Sequence, residues 1–168
     1  LLPKEIAVRN IIPVTQDAHA RFDAVSRSYR YNLTTQKNPF LQKRSYHFAK
    51  PIDVELMNQA AKILIDHKDF KCFSKSKTDV KTYICDIQHA HWQQDGSELV
   101  FFIQANRFLR NMVRAIVGTL IEVGLKKISI SDFETILASR DRSKAGYSVP
   151  AHGLYLEKVS YPKHIFAV

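Results

Sequence analysis

Between Arg107 and Val123, apolar side chains recur at the 3.6-residue spacing that only an α-helix can turn to one side. Phe108, Met112, Val113, Ile116, Leu120 and Val123 fall on one broad face, while Arg107, Arg110, Arg114 and Gly118 fall on the opposite stripe. The spacing predicts a helix over 107–123 that ends at Gly124 in a left-handed C-terminal position. A glycine inside such a helix costs roughly 1 kcal/mol relative to alanine, so Gly118 is expected to serve a close approach by another backbone or by a ligand. The three arginines repel one another by a few tenths of a kcal/mol per pair, a cost offset by an anion or tolerated on a solvated face.

The segments around this helix alternate in type. Ile6–Val14 reads as an extended apolar strand, and Arg27–Leu33 alternates basic and aromatic residues at period two. Asp53 is placed to cap a helix running to Ile65 through Leu56, Met57, Ala60, Ile63 and Leu64. Tyr83–Gln93 and Leu99–Gln104 flank Asp95-Gly96, which predicts a hairpin with both turn residues at positive φ. A helix over Ser131–Ala138 and a strand over Leu154–Val159 complete the series. Hairpin, separate strands and intervening helices predict an α+β class, a mainly antiparallel sheet with helices packed on one face, in a single domain over residues 1–168.

Composition narrows the function. Hydrophobic residues make up 45% of the 168, too many for a disordered polycation. The longest apolar runs, such as Leu99–Ile103, are far short of the roughly 18 residues that span a bilayer, so no membrane partner is expected. Lys and Arg number 25 against 16 Asp and Glu, a net charge of +9, which favours an anionic partner and nucleic acid above others. Two cysteines without metal-type spacing predict reduced thiols and a cytoplasmic protein. Leu1–Glu5 offer neither a starting Met nor a signal sequence, so an upstream segment is expected.

Chemistry-bearing residues gather in three places. In the first, His19-Ala20-Arg21-Phe22 precedes Arg27-Ser28-Tyr29-Arg30-Tyr31. On a strand, Tyr29 and Tyr31 share a face with Arg27, so an aromatic ring can stack on a base beside a guanidinium that holds phosphate. Packing of both tyrosines in a half-buried sheet fits equally well. The arginine stripe is the second. The third is the polar run Lys71–Lys81, which suits either a loop tracking a phosphate backbone or a solvated loop. His89 and His91 lack companions at metal-ligand spacing, so no metal is expected. No Gly-rich phosphate loop or nucleophile elbow is present.

These segments, taken in order, resemble the TruA-type tRNA pseudouridine synthases. The resemblance runs through Leu2-Pro3-Lys4-Glu5-Ile6-Ala7-Val8, His19-Ala20-Arg21-Phe22, Tyr29-Arg30-Tyr31, Asp69-Phe70-Lys71-Cys72-Phe73, the block Asn106–Gly118, Asp141–Ala145 and Pro150–Leu156. It implies a C-terminal portion of an enzyme that isomerises uridine to pseudouridine in the tRNA anticodon stem-loop, at positions 38 to 40, as a homodimer and without a cofactor. It further implies that Tyr29 stacks on the target uracil and that Arg114 pairs with the catalytic aspartate. RNA contacts are expected from Arg21, Arg27, Arg30, Arg107 and Arg110.

The family carries that aspartate in a Gly-Arg-Thr-Asp-x-Gly-Val-His motif. No aspartate here has such a setting, so the motif is expected upstream of Leu1 and this portion is expected to be inactive alone. Arg107 stands where the family more often has a small residue, and Asn111 where a His is common. The alternative is a noncatalytic RNA-binding module using the same residues as a platform, and a third is an assembly domain whose basic face meets an acidic protein.

Overall fold

The computed structural model describes residues 2–76 and 79–166. In chain order the elements are β1 (Ser26–Thr34), β2 (Tyr46–His47), α1 (Val54–Asp66), β3 (Ile87–Asp95), β4 (Glu98–Ala105), α2 (Met112–Gly124), α3 (Ile130–Ser139) and β5 (Leu154–Ser160). β1 is the centre of the sheet. One edge pairs antiparallel with β4, which pairs in turn with β3; the other edge takes β5 and, further along, a short parallel pairing with β2. The class is the expected α+β, a mostly antiparallel sheet carrying its helices on one face.

The core follows from strand alternation. Tyr31 and Leu33 of β1 and Leu99, Phe101 and Ile103 of β4 point inward and are buried, whereas Arg30 points to the opposite face and is exposed. Asp53 caps α1 by accepting from the Leu56 N–H at 3.1 Å. Asn58 then ties α1 to the outer edge of β3, accepting from Trp92 N–H at 2.7 Å and donating to Trp92 C=O at 3.1 Å. Ser129 and Asp132 form a reciprocal capping box on α3.

α2 departs from its expected outline at both ends. It begins at Met112, five residues after Arg107, because Asn111 adopts a left-handed conformation (φ 68°) that the helix cannot run back through. Nor does Gly124 take a left-handed C-terminal place. Lys126 does (φ 57°), its N–H donating to Val123 C=O while Lys127 N–H donates to Glu122 C=O, the paired bonds of a Schellman ending. Gly124 is small for a different reason: Asp53 N–H bonds its carbonyl, and a Cβ there would meet Met57 Sδ at 2.5 Å. The two-faced helix of the sequence reading also gives way, since every residue of α2 except Arg114 and Glu122 is buried. With Arg107 and Arg110 preceding it, the arginine stripe is not a helical feature.

Two further expectations fail. Ile6–Pro13 forms no strand; Val14 makes an isolated bridge to Phe166, and Ile6, Val8, Ile11 and Ile12 are exposed. An apolar run becomes a strand only beside a partner edge, and none of the described residues offers it one. The hairpin is real, but its turn residues are Gly96 and Ser97, with Asp95 paired to Glu98, and only Gly96 has positive φ (54°). The incoming strand starts at Ile87 rather than Tyr83.

Candidate active site

β1 carries the site. Tyr29 sits opposite Ile103 of β4 and Leu156 of β5, on the same sheet face as Tyr31. The two tyrosines have different surroundings. Tyr31 is fully buried and donates its hydroxyl to Pro150 C=O at 2.8 Å, and burial pushes its phenol pKa above the ordinary value. It is therefore a core residue. Tyr29 is half-buried, and its ring meets Phe108 edge to face at a centroid distance of 5.2 Å.

Tyr29 and Phe108 line a cavity of about 800 Å³ whose other walls include Arg21, Phe22, Arg27 and Arg107. Lys81 and Asp79 also reach it, so four cations face one carboxylate. The entrance is built by the His19–Asp23 turn. His19 Nδ1 accepts from the N–H groups of Arg21 and Phe22, and Asp23 accepts from His19 N–H at 2.6 Å. This turn leaves Phe22 74% exposed, with the Arg21 guanidinium 5.7 Å from its ring centroid.

Arg27 differs from the other cations. Its Nη1 donates to Ala24 C=O and Asn106 C=O at 2.9 Å each, and its Nη2 donates to Arg21 C=O. Three carbonyls from two separate segments are clamped to β1 by one side chain. Arg107 and Arg21 line the cavity. Arg30 and Arg110 are not part of it: the Arg30 guanidinium lies 5.4 Å from the Tyr155 ring centroid on the far face of the sheet, and Arg110 is an exposed residue just before α2.

Arg114 lies beyond the cavity wall, beside Tyr31. Its Nε donates to Val149 C=O, and Val149 N–H donates back to Arg114 C=O at 3.2 Å. Val149 is followed by Pro150, the residue that accepts from Tyr31, so Arg114 and Tyr31 converge on one short segment. Among the described residues no carboxylate pairs with Arg114. The half-buried guanidinium thus has charge to offer a group that is not among them. Tyr29 shares a sheet face with Tyr31, whose hydroxyl and the Arg114 guanidinium meet on the 149–150 segment, and Arg114 is not among the residues that line the Tyr29 cavity.

A sequence model described as tRNA pseudouridine synthase matches residues 60–162. A tRNA pseudouridine synthase A of Parabacteroides distasonis is 55% identical over 168 residues, covering 100% of this chain and 67% of its own length. The chain belongs to the tRNA pseudouridine synthase family. Other members named tRNA pseudouridine synthase A include one from Bacteroides fragilis, 53% identical over 99% of the chain and 66% of that protein, and one from Bacillus subtilis, 41% identical over 96% of the chain and 66% of that protein. The chain thus spans about two thirds of the length of these synthases.

Two features of this synthase chain were not singled out by sequence. Phe22 was read only as part of a motif and Phe108 as part of an apolar helix face, yet both line the cavity. The readable signal was a large aromatic residue set between two charged neighbours, Arg21 and Asp23. No group of three or more His, Cys, Asp or Glu that would suit a metal occurs among the described residues, and Cys72 and Cys85 are buried and free. No helix there is long and apolar enough to cross a membrane.

Proposed function

We propose that this chain is the C-terminal part of an enzyme that converts uridine to pseudouridine in the anticodon stem-loop of tRNA, at positions 38 to 40. The reaction breaks the bond between ribose C1′ and uracil N1, turns the base, and joins C1′ to C5. The C5 hydrogen leaves as a proton and N1 gains one, so atoms and charge balance without a cofactor. Such chemistry requires a flipped base held in a pocket and a carboxylate at the ribose. In this reading Tyr29 stacks on the uracil, an interaction worth roughly 1–3 kcal/mol per base. Arg114 holds the carboxylate ionised and oriented. Arg21 and Arg107 neutralise phosphates around the extruded nucleotide, and Arg110 extends that field outside the cavity. Arg30, stacked on Tyr155 behind the sheet, has no part at the base.

The observation that carries this reading is the pairing of a cation-rich cavity walled by Tyr29 with an arginine that has no carboxylate partner among the described residues. The carboxylate comes from polypeptide outside these 168 residues, and the enzyme acts as a cytoplasmic homodimer. Tritium release from tRNA labelled with [5-³H]uridine tests the activity. The complete protein is expected to release tritium and the 168-residue chain alone is not. Binding of tRNA by the complete protein without any release would favour a noncatalytic RNA-binding module instead.

A further inference from the structure

The stretches 74–76 and 79–83 contribute to two hollows. Asp79, Val80 and Lys81 face the Tyr29 cavity, whereas Ser74, Ser76 and Tyr83 line a second hollow of about 550 Å³ whose opposite wall is the Arg140–Ser143 turn. The lysine run at 71–81 suits either a phosphate track or a solvated loop; Lys77 of that run lies outside the described residues.

The second hollow has the chemistry of an anion site. Lys71, Lys75, Arg140 and Arg142 line it against a single carboxylate, Asp141. That carboxylate is already engaged, accepting from Ser143 N–H at 2.9 Å and from Ser143 Oγ at 2.8 Å. Arg142 is structural, donating to Ala145 C=O, Gly146 C=O and Ser148 Oγ. Arg140 pairs with Asp69 at 3.0 Å. Lys71 is exposed and forms no ion pair among the described residues, although its charge helps to hold the Asp141 carboxyl below its ordinary value; its Nζ stands 5.5 Å from the Tyr83 ring centroid, which restrains a side chain that would otherwise sweep through solvent.

A backbone link joins the two hollows. Lys75 N–H donates to Arg110 C=O at 2.9 Å, tying this segment to the stretch that delivers Arg107 and Phe108 to the Tyr29 cavity. Arg110, exposed at this link, adds a cation beside the stretch that supplies Lys71 and Lys75 to one hollow and the stretch that supplies Arg107 to the other. We propose that the hollow at Lys71, Tyr83 and Arg140 binds the phosphodiester backbone of the RNA strand flanking the nucleotide held at Tyr29. The proposal rests on the RNA-modifying reading above. An isolated phosphate has the same chemistry, but the backbone link to the stretch that lines the first cavity favours a strand.

The test uses the complete protein with Lys71→Gln and Lys71→Glu, both at an exposed side chain, after thermal melts show unchanged folding. For Lys71→Gln the slope of log affinity for tRNA against log salt is expected to fall by about 0.7, the value for one phosphate contact on a single strand. For Lys71→Glu the Kd for tRNA is expected to rise about tenfold, with kcat at saturating tRNA changed less than twofold. An unchanged Kd and salt slope in Lys71→Glu would overturn the proposal. So would weakened binding of inorganic pyrophosphate with unaltered tRNA affinity. If the wild-type protein bound tRNA but released no tritium, the catalytic reading would fail, while the affinity of the Lys71 variants would still judge this site.

Discussion

A Cβ placed on Gly118 would stand 1.8 Å from the backbone oxygen of Tyr147. The segment leading to β5 therefore lies directly on α2, and this contact brings Val149 within reach of Arg114 and Pro150 within reach of Tyr31. Thr119 adds a second tie, its hydroxyl accepting from Gly146 N–H at 3.0 Å. Gly118→Ala forces backbone apart and is expected to cost about 3 kcal/mol, the upper part of the range for overpacking. Gly124→Ala meets chiefly the flexible end of Met57 and is expected to cost about 1 kcal/mol. Urea unfolding of both variants measures the difference, and equal losses would contradict this account of Gly118.

Arg27 is expected to behave as a clamp and not as a phosphate ligand. Arg27→Ala removes the donor to three carbonyls, with an expected loss of about 2 kcal/mol. Hydrogen exchange over residues 19–25 should quicken, and tRNA binding should weaken with the same salt slope as the wild type. A slope lowered by about 0.7 would instead make Arg27 a direct phosphate contact.

Burial pushes the Cys72 thiol up to about 12 and the Cys85 thiol up to about 11. Neither carries appreciable thiolate near neutral pH. A thiol reagent at pH 8 should leave both unlabelled in the native chain and label both in urea, as read by peptide mass spectrometry. Rapid native labelling of either would place it at an accessible surface.

Acid should weaken the fold through the capping carboxylates. Hydrogen bonds from the Leu56 backbone hold Asp53, and those from Ser129 hold Asp132, below the ordinary value of 3.8. A depressed carboxylate contributes its full stability above that value and loses it as pH falls through the lower folded value. Melting temperature should thus decline below about pH 4, and Asp132→Asn should flatten the decline. An identical profile in that variant would remove the cap from the cause.

The elements legible in the sequence were those whose signals are local. Asp53 announces α1 because a cap acts within one turn, and the period-two pattern of Arg27–Leu33 marks β1 because alternation is the geometry of a strand. Ile6–Val14 misled because apolar content says nothing about whether a partner edge exists. The 107–123 block misled differently. Its angular spacing was sound, but one residue, Asn111, breaks the backbone before the helix starts, which leaves Arg107 and Arg110 outside the helix, and the segment at Tyr147 covers Gly118. Tyr29 and Tyr31 are equivalent in sequence; what separates them is Pro150, 119 positions beyond Tyr31, which claims the Tyr31 hydroxyl and leaves Tyr29 for the cavity. Such long-range partners were beyond local reading, as was Arg27's clamp across 79 positions to Asn106.

The most direct measurement is single-turnover tritium release by the complete protein carrying Tyr29→Leu or Arg114→Ala, alongside the Kd for tRNA. Each variant is expected to lose turnover while its Kd stays within about tenfold of the wild type, or roughly 1.4 kcal/mol. Near-normal turnover in either would contradict the assignment of that residue to the uracil-holding site.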